Sequence, residues 1–123
     1  MFGIGQHKIQ LRPSVTVPGA SGQASLGRDK NGNSDVHLEV WHLAQPQQLT
    51  PPAAVYVVWA RAVGAPPENK GALRVGDDLR GESRFITAAQ EFDLFVTAEV
   101  DPSPAAPSTQ EVLRGSIPSQ RAA

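Results

Sequence analysis

Apolar residues recur at every second position through much of this chain. In Ser34–Leu43, Val36, Leu38 and Val40 alternate with His37, Glu39 and Trp41. That is the period of a strand with one buried face. In Glu91–Val100, Phe92, Leu94, Val96, Ala98 and Val100 form a single inward stripe. Val55–Val63 differs: Val55, Val57 and Trp59 leave one face, and Tyr56, Val58 and Ala60 the other. Apolar residues on both faces predict a central strand covered from both sides.

Weaker segments complete the pattern. Lys8–Val17 holds the first strand, and Pro13 makes it an edge strand or splits it. Gly22–Arg28 places Ala24 and Leu26 on one face. Ala72–Val75 and Ser83–Ala88 are short, and Gln110–Ile117 offers a last edge strand. Asn31-Gly32 suits a type I′ hairpin turn, whose two central residues both take positive φ. Ala44–Ala54, with Pro46, Pro51 and Pro52, reads as a connection crossing from one sheet to another. Gly64–Gly71 is a proline-bearing loop, and Asp101–Ser108 a polyproline-like connector. Leu79–Arg84 and Thr87–Gln90 each admit one helical turn. There is no internal repeat and no long amphipathic helix.

The architecture that buries such stripes on about seven short strands is all-β: an immunoglobulin-like two-sheet sandwich. Residues 1–117 are expected to form one domain and 118–123 a disordered tail. With 123 residues and 40% hydrophobic composition, the chain can build a core without staples.

Composition narrows the function classes. Eleven basic residues balance twelve acidic ones with no clustered basic run, which argues against a nucleic-acid partner. The absence of cysteine excludes disulfides, thiolate metal sites and a cysteine nucleophile. No apolar stretch approaches ~20 residues, so no direct membrane insertion is expected. The N-terminus lacks the basic leader and apolar run of a signal peptide.

Each candidate for chemistry has a simpler explanation. His37 and His42 are five apart, so on a strand they leave opposite faces, and with His7 they read as surface histidines. Asp29-Lys-Asn31-Gly-Asn33-Ser-Asp35 resembles the start of a calcium loop. Its glycine is at the fourth position, however, and Val40 stands where a bidentate glutamate belongs. Asp77-Asp78 with Glu82, near Arg80 and Arg84, reads as a solvated turn. No Gly-x-Ser-x-Gly elbow occurs, and neither Gly3-Ile-Gly5 nor Gly19-Ala-Ser-Gly22 has phosphate-loop spacing. No catalytic residue, metal ligand or cofactor is expected. Trp59 belongs to the core by its apolar strand. Trp41, opposite Val40, is the one candidate for an exposed aromatic platform.

Leu38-Glu-Val-Trp-His-Leu43, a proline-rich link, Val55-Tyr-Val-Val-Trp-Ala60 and Asn69-Lys-Gly71-Ala-Leu-Arg-Val75 together resemble the C-terminal extracytoplasmic domain of anti-sigma-K factors. Phe92–Val100 and Pro107–Gly115 are similar to that family's final two strands, with Thr109 in place of a typical glycine. The resemblance runs from about Val15 to Ile117. It implies a β-sandwich outside the bacterial cytoplasmic membrane, tethered or free. The family's cytoplasmic sigma-binding segment and membrane helix have no counterpart here, so the expected role is the sensory or scaffold half. The family's sandwich supplies no catalytic residues.

The expectation is therefore a non-enzymatic envelope interaction or sensing domain. It presents the Ala44–Ala54 and Gly64–Gly71 loops to a protein partner through Trp41, Gln47, Pro51, Pro66, Pro67 and Asn69. The edge near Pro13 and the C-terminal strand are expected to accept an added strand. One competing class is a carbohydrate-binding or adhesion module of a secreted protein, which requires Trp41 exposed beside a second aromatic; the other is a small hydrolase or metal-dependent enzyme, which requires a pocket gathering His7, His37 or Asp77 with others.

Overall fold

A computed structural model describes residues 7–14 and 17–118. His7 is described by its backbone alone. Gly3–Gly5, Val15, Thr16 and residues 119–123 of the expected tail lie outside the described residues. The chain is all-β, with strands β1 (His7–Pro13), β2 (Ser21–Arg28), β3 (Ser34–Trp41), β4 (Val55–Ala62), β5 (Glu68–Leu73), β6 (Gly81–Thr87), β7 (Phe92–Glu99) and β8 (Glu111–Ile117). The one helical element among the described residues is a 3-10 turn, Pro46–Gln48. Every strand pair is antiparallel, in the order β5-β4-β7-β8-β1-β2-β3-β6. The sheet curls almost into a barrel. Its two end strands approach through a Val75–Gly81 bridge, and Lys70 Nζ lies 5.9 Å from the Phe85 ring centre.

Period-two patterning built the interior. Val36, Leu38 and Val40 of β3, Tyr56 and Val58 of β4, and Phe92, Leu94, Val96 and Ala98 of β7 are all buried in one continuous core. The stripe stops earlier than its sequence implied. β7 ends at Glu99 and Val100 is 81% exposed; β4 ends at Ala62 and Val63 is 78% exposed. Hydrophobicity alone does not extend a strand past its last cross-strand partner.

Four further expectations are corrected. First, the edges of the sheet are β5 and β6. β1 pairs with β2 through His7–Leu11, then turns to β8 at Arg12 and Pro13. Pro13 thus splits its strand rather than marking a free edge, and β8 lies inside the sheet. Second, β5 begins at Glu68, inside the expected Gly64–Gly71 loop. Gly71 at φ 113° and a register shift beside Val57 and Trp59 let this polar stretch pair with β4. Third, Leu79–Arg84 and Thr87–Gln90 contain no helical turn. Fourth, the β2–β3 hairpin needs one positive φ, not two. Gly32 N–H closes a turn onto Asp29 C=O, and Gly32 alone takes φ 81°.

Asp29 anchors that hairpin. Its Oδ1 accepts the Asn31 and Asn33 N–H groups at 2.9 Å, and its Oδ2 accepts Asn33 Nδ2 at 3.1 Å. These oxygens serve the turn, and Asp35 instead faces Arg84 at 3.6 Å. The backbone and side-chain bonds from Asn33 hold the Asp29 carboxyl below its ordinary value of 3.8. A depressed carboxyl stabilises the fold above its unfolded pKa, and that contribution disappears as pH falls through the folded value. Asp29 is therefore expected to titrate below 3.8 by carboxyl NMR, and Asp29→Asn to weaken the acid dependence of unfolding. Titration of Asp29 at or above its ordinary value would show that the turn does not use these bonds.

Candidate functional site

The two ends of the sheet are built differently. At one end the connections 42–54, 74–80 and 100–110 are tied to one another. Leu43 N–H bonds Leu79 C=O at 3.1 Å, and Gln45 Nε2 reaches the carbonyls of Val75 and Gly76 at 3.1 and 2.9 Å. Buried Tyr56 donates its hydroxyl to Ala44 C=O at 2.6 Å, and burial pushes that phenol up to about 12. Ala54 N–H bonds Glu99 C=O, and Gln110 Nε2 bonds Pro51 C=O. Asn69 Nδ2 holds Pro102 C=O. Loops braced in this way lose little entropy when a ligand orders them further.

Trp41 ends β3 at this crown and is half-buried. It borders a cleft of about 430 Å³ together with Glu39, Arg74, Asp78, Arg80 and Glu82. Backbone strain lies beside the cleft, at residues adjacent in sequence to the lining residues Trp41, Asp78 and Arg80. His42 sits at φ 58° and Leu79 at φ 62°, the two non-glycine residues at positive φ among those described. Each such residue costs on the order of 1 kcal/mol, and such outliers concentrate at functional sites. The Leu43–Leu79 bond holds both. Glu39 and Glu82 stand directly opposite one another on β3 and β6, a like-charge pair. His37 Nε2 lies 3.1 Å from Glu82 Oε2, within hydrogen-bond distance. Asp78 Oδ1 accepts the Arg80 N–H within the turn. Among the described residues, the Arg74 and Arg80 guanidinium groups, the Glu39 carboxylate and the Trp41 indole N–H have no hydrogen-bond or ion-pair partner.

The expected partner residues are not brought together. Trp41, Gln47 and Pro51 belong to the braced crown. Pro66 and Pro67 lie at the other end of β4, roughly 25 Å away at the rise of an extended strand. Asn69 is not in a loop; it stands on β5 opposite Trp59. No second aromatic lines the Trp41 cleft. His42 is exposed at the crown while His37 points along β3 to Glu82. Among the described residues no group of three or more His, Cys, Asp or Glu converges as metal ligands do.

The second face of β4 is covered, as its doubled apolar pattern predicts, but the sequence did not show that Phe95 of β7 joins it in a layer of its own. Val57, Trp59 and Phe95 form a cluster apart from the main core, on the opposite face of β4 and β7. Trp59 and Phe95 stack with ring centres 6.4 Å apart at 15°. Trp59 Nε1 donates to Thr97 Oγ1 at 2.8 Å, and the Thr97 hydroxyl donates to buried Glu99. Ser108 N–H also bonds that carboxylate at 2.8 Å. The 101–110 connection, fixed at Pro102 and Ser108, thus folds back along this face. Arg114 lies 4.6 Å from the Phe95 ring centre and grips Glu111 with two bonds, which raise its pKa further. The doubled apolar pattern of β4 was the one signal of this layer.

No protein-family model, no curated protein and no solved structure matches this chain.

Proposed function

We propose that this chain is a non-enzymatic interaction domain of the bacterial cell envelope that receives a protein partner on its braced crown. The single observation that carries the reading is the cross-bracing of three connections at one end, with Gln47 and Pro51 exposed upon it. A preordered loop surface on a β scaffold is suited to recognition. The similarity of Leu38–Val75 and Phe92–Gly115 to the extracytoplasmic domain of anti-sigma-K factors supports an envelope location and a sensory or scaffold role. In this reading β6-β3-β2-β1 and β8-β7-β4-β5 are the two layers of an immunoglobulin-like sandwich, with β1 passing between them. That division is supported by the transfer of β1 from β2 to β8 at Arg12.

The test uses a photo-crosslinking residue in place of Gln47, compared with one in place of Asn31 at the far end, in the native envelope. A single protein captured from position 47 and absent from position 31 is the expected result. Equal capture from both positions, or none from 47, overturns the assignment of the crown.

A further inference from the structure

We infer that the Trp41 cleft is a binding site for a neutral glycan, gripping one pyranose ring against the indole: a single-ring site, distinct from the paired-aromatic platform of a carbohydrate-binding module, whose second aromatic is not among the residues lining the cleft. This stands independently of the protein partner assigned to the crown, because it uses side chains of β3, β6 and the 74–80 turn rather than Gln47 or Pro51. A sugar ring offers two kinds of surface. Its axial C–H faces pack on an aromatic plane, and its hydroxyls both donate and accept hydrogen bonds. The cleft offers both complements. Trp41 is half-buried at its border, and about 430 Å³ of space adjoins it. Donors without partners are the Arg74 and Arg80 guanidinium groups and the indole N–H; Glu39 is the acceptor without one. Amphipathic aromatics beside a few placed polar groups are the usual means of fixing a small polar ligand.

Two further observations favour a ligand here over an ordinary surface dip. Strain at His42 and Leu79 holds the end of β3 and the 74–80 turn in one arrangement. The Glu39–Glu82 opposition across β3 and β6 leaves two carboxylates on one small area, which hydroxyl donors would relieve. Charge decides between sugar classes. Glu39, Asp78 and Glu82 outnumber Arg74 and Arg80 among the residues lining the cleft, so a polyanionic glycan is disfavoured and a neutral one fits.

The two tryptophans supply the test and its control. In a nitrogen-15 spectrum of the whole chain each indole N–H gives one resonance, and that of Trp59 is buried and bonded to Thr97. Cellotriose, chitotriose, xylotriose and trigalacturonate are titrated in turn. The expected result is a saturable shift of the Trp41 resonance with at least one neutral trisaccharide while the Trp59 resonance stays in place. Trp41→Ala should abolish the binding measured by calorimetry, and Arg80→Gln should weaken it at least threefold, each with the Trp59 resonance unmoved. A response to trigalacturonate alone overturns the neutral assignment. No Trp41 shift with any of the sugars, or equal movement of both indoles, overturns the site itself.

Discussion

Trp59→Ala is expected to remove about 3–5 kcal/mol of folding stability, the range for large aromatic truncations at buried positions. A domain of this kind has about 5–15 kcal/mol in total, so the variant would lose a large share of it. The loss has three parts. Trp59 is 1% exposed, and alanine would leave a cavity beside Val57 of β4 and Phe95 of β7. The offset stack with Phe95 disappears. Thr97 Oγ1 also loses the indole donor at a buried site, although its own hydroxyl still serves Glu99. Trp59→Phe separates these parts. It keeps most of the ring area and loses the N–H bond, so about 1–2 kcal/mol is expected. Urea unfolding followed by far-UV circular dichroism measures both, with a lowered midpoint at an unchanged slope as the expected pattern. A Trp59→Ala cost below about 1 kcal/mol, the size of an ordinary surface effect, would mean that the second buried layer is not formed.

Much of this fold was legible where a residue's own neighbours in sequence determine its environment. Ser34–Trp41 and Phe92–Glu99 carry an apolar stripe at every second residue, Val55–Ala62 is apolar on both faces, and all three, rich in β-branched or aromatic residues, became strands. Of Glu68–Leu73, Ala72 and Leu73 fell within an expected strand, and Glu68–Gly71 was illegible because Glu, Asn, Lys and Gly have little strand preference of their own. Its pairing is imposed by β4 and made possible by the open φ of Gly71. The identity of the edges was likewise hidden. Whether Pro13 ends a sheet or hands the chain from β2 to β8 depends on where Leu113 lies, a hundred residues away. Trp59 read correctly as buried, yet it packs with Val57 and Phe95 in a layer of its own rather than in the main core. At the candidate site, Trp41 was conspicuous as an aromatic on a polar face. Arg74 and Arg80 were not, because the pairing of Gly81 with Val40 on β3 and its bridge to Val75, which set the 74–80 turn beside Trp41, join residues far apart in sequence.

Gly81→Ala tests that placement. A Cβ at Gly81 would stand 2.6 Å from Arg74 C=O and 3.3 Å from Val40 Cγ2. The first neighbour is backbone and cannot rotate away, so the 74–80 turn must shift or the Val75–Gly81 bridge must break. Overpacking of this sort costs about 1–3 kcal/mol, and a rigid backbone neighbour places this site at the upper end. Gly27→Ala is the matched control. Gly27 also lies in a strand, nothing stands within 4 Å of its Cβ position, and its φ is not positive. Alanine there is expected to be neutral or to stabilise by up to about 1 kcal/mol by restricting the unfolded chain. The same substitution would therefore have opposite signs at two strand glycines, and thermal unfolding of the pair reads the difference directly. Hydrogen exchange adds the location: the Leu43 and Gly76 amides, which bond across the turn to Leu79 and Arg80, should lose protection in Gly81→Ala and keep it in Gly27→Ala. Equal stability of the two variants would mean that the end of β6 does not press on the 74–80 turn, and the Trp41 cleft would lose the wall that carries Arg74 and Arg80.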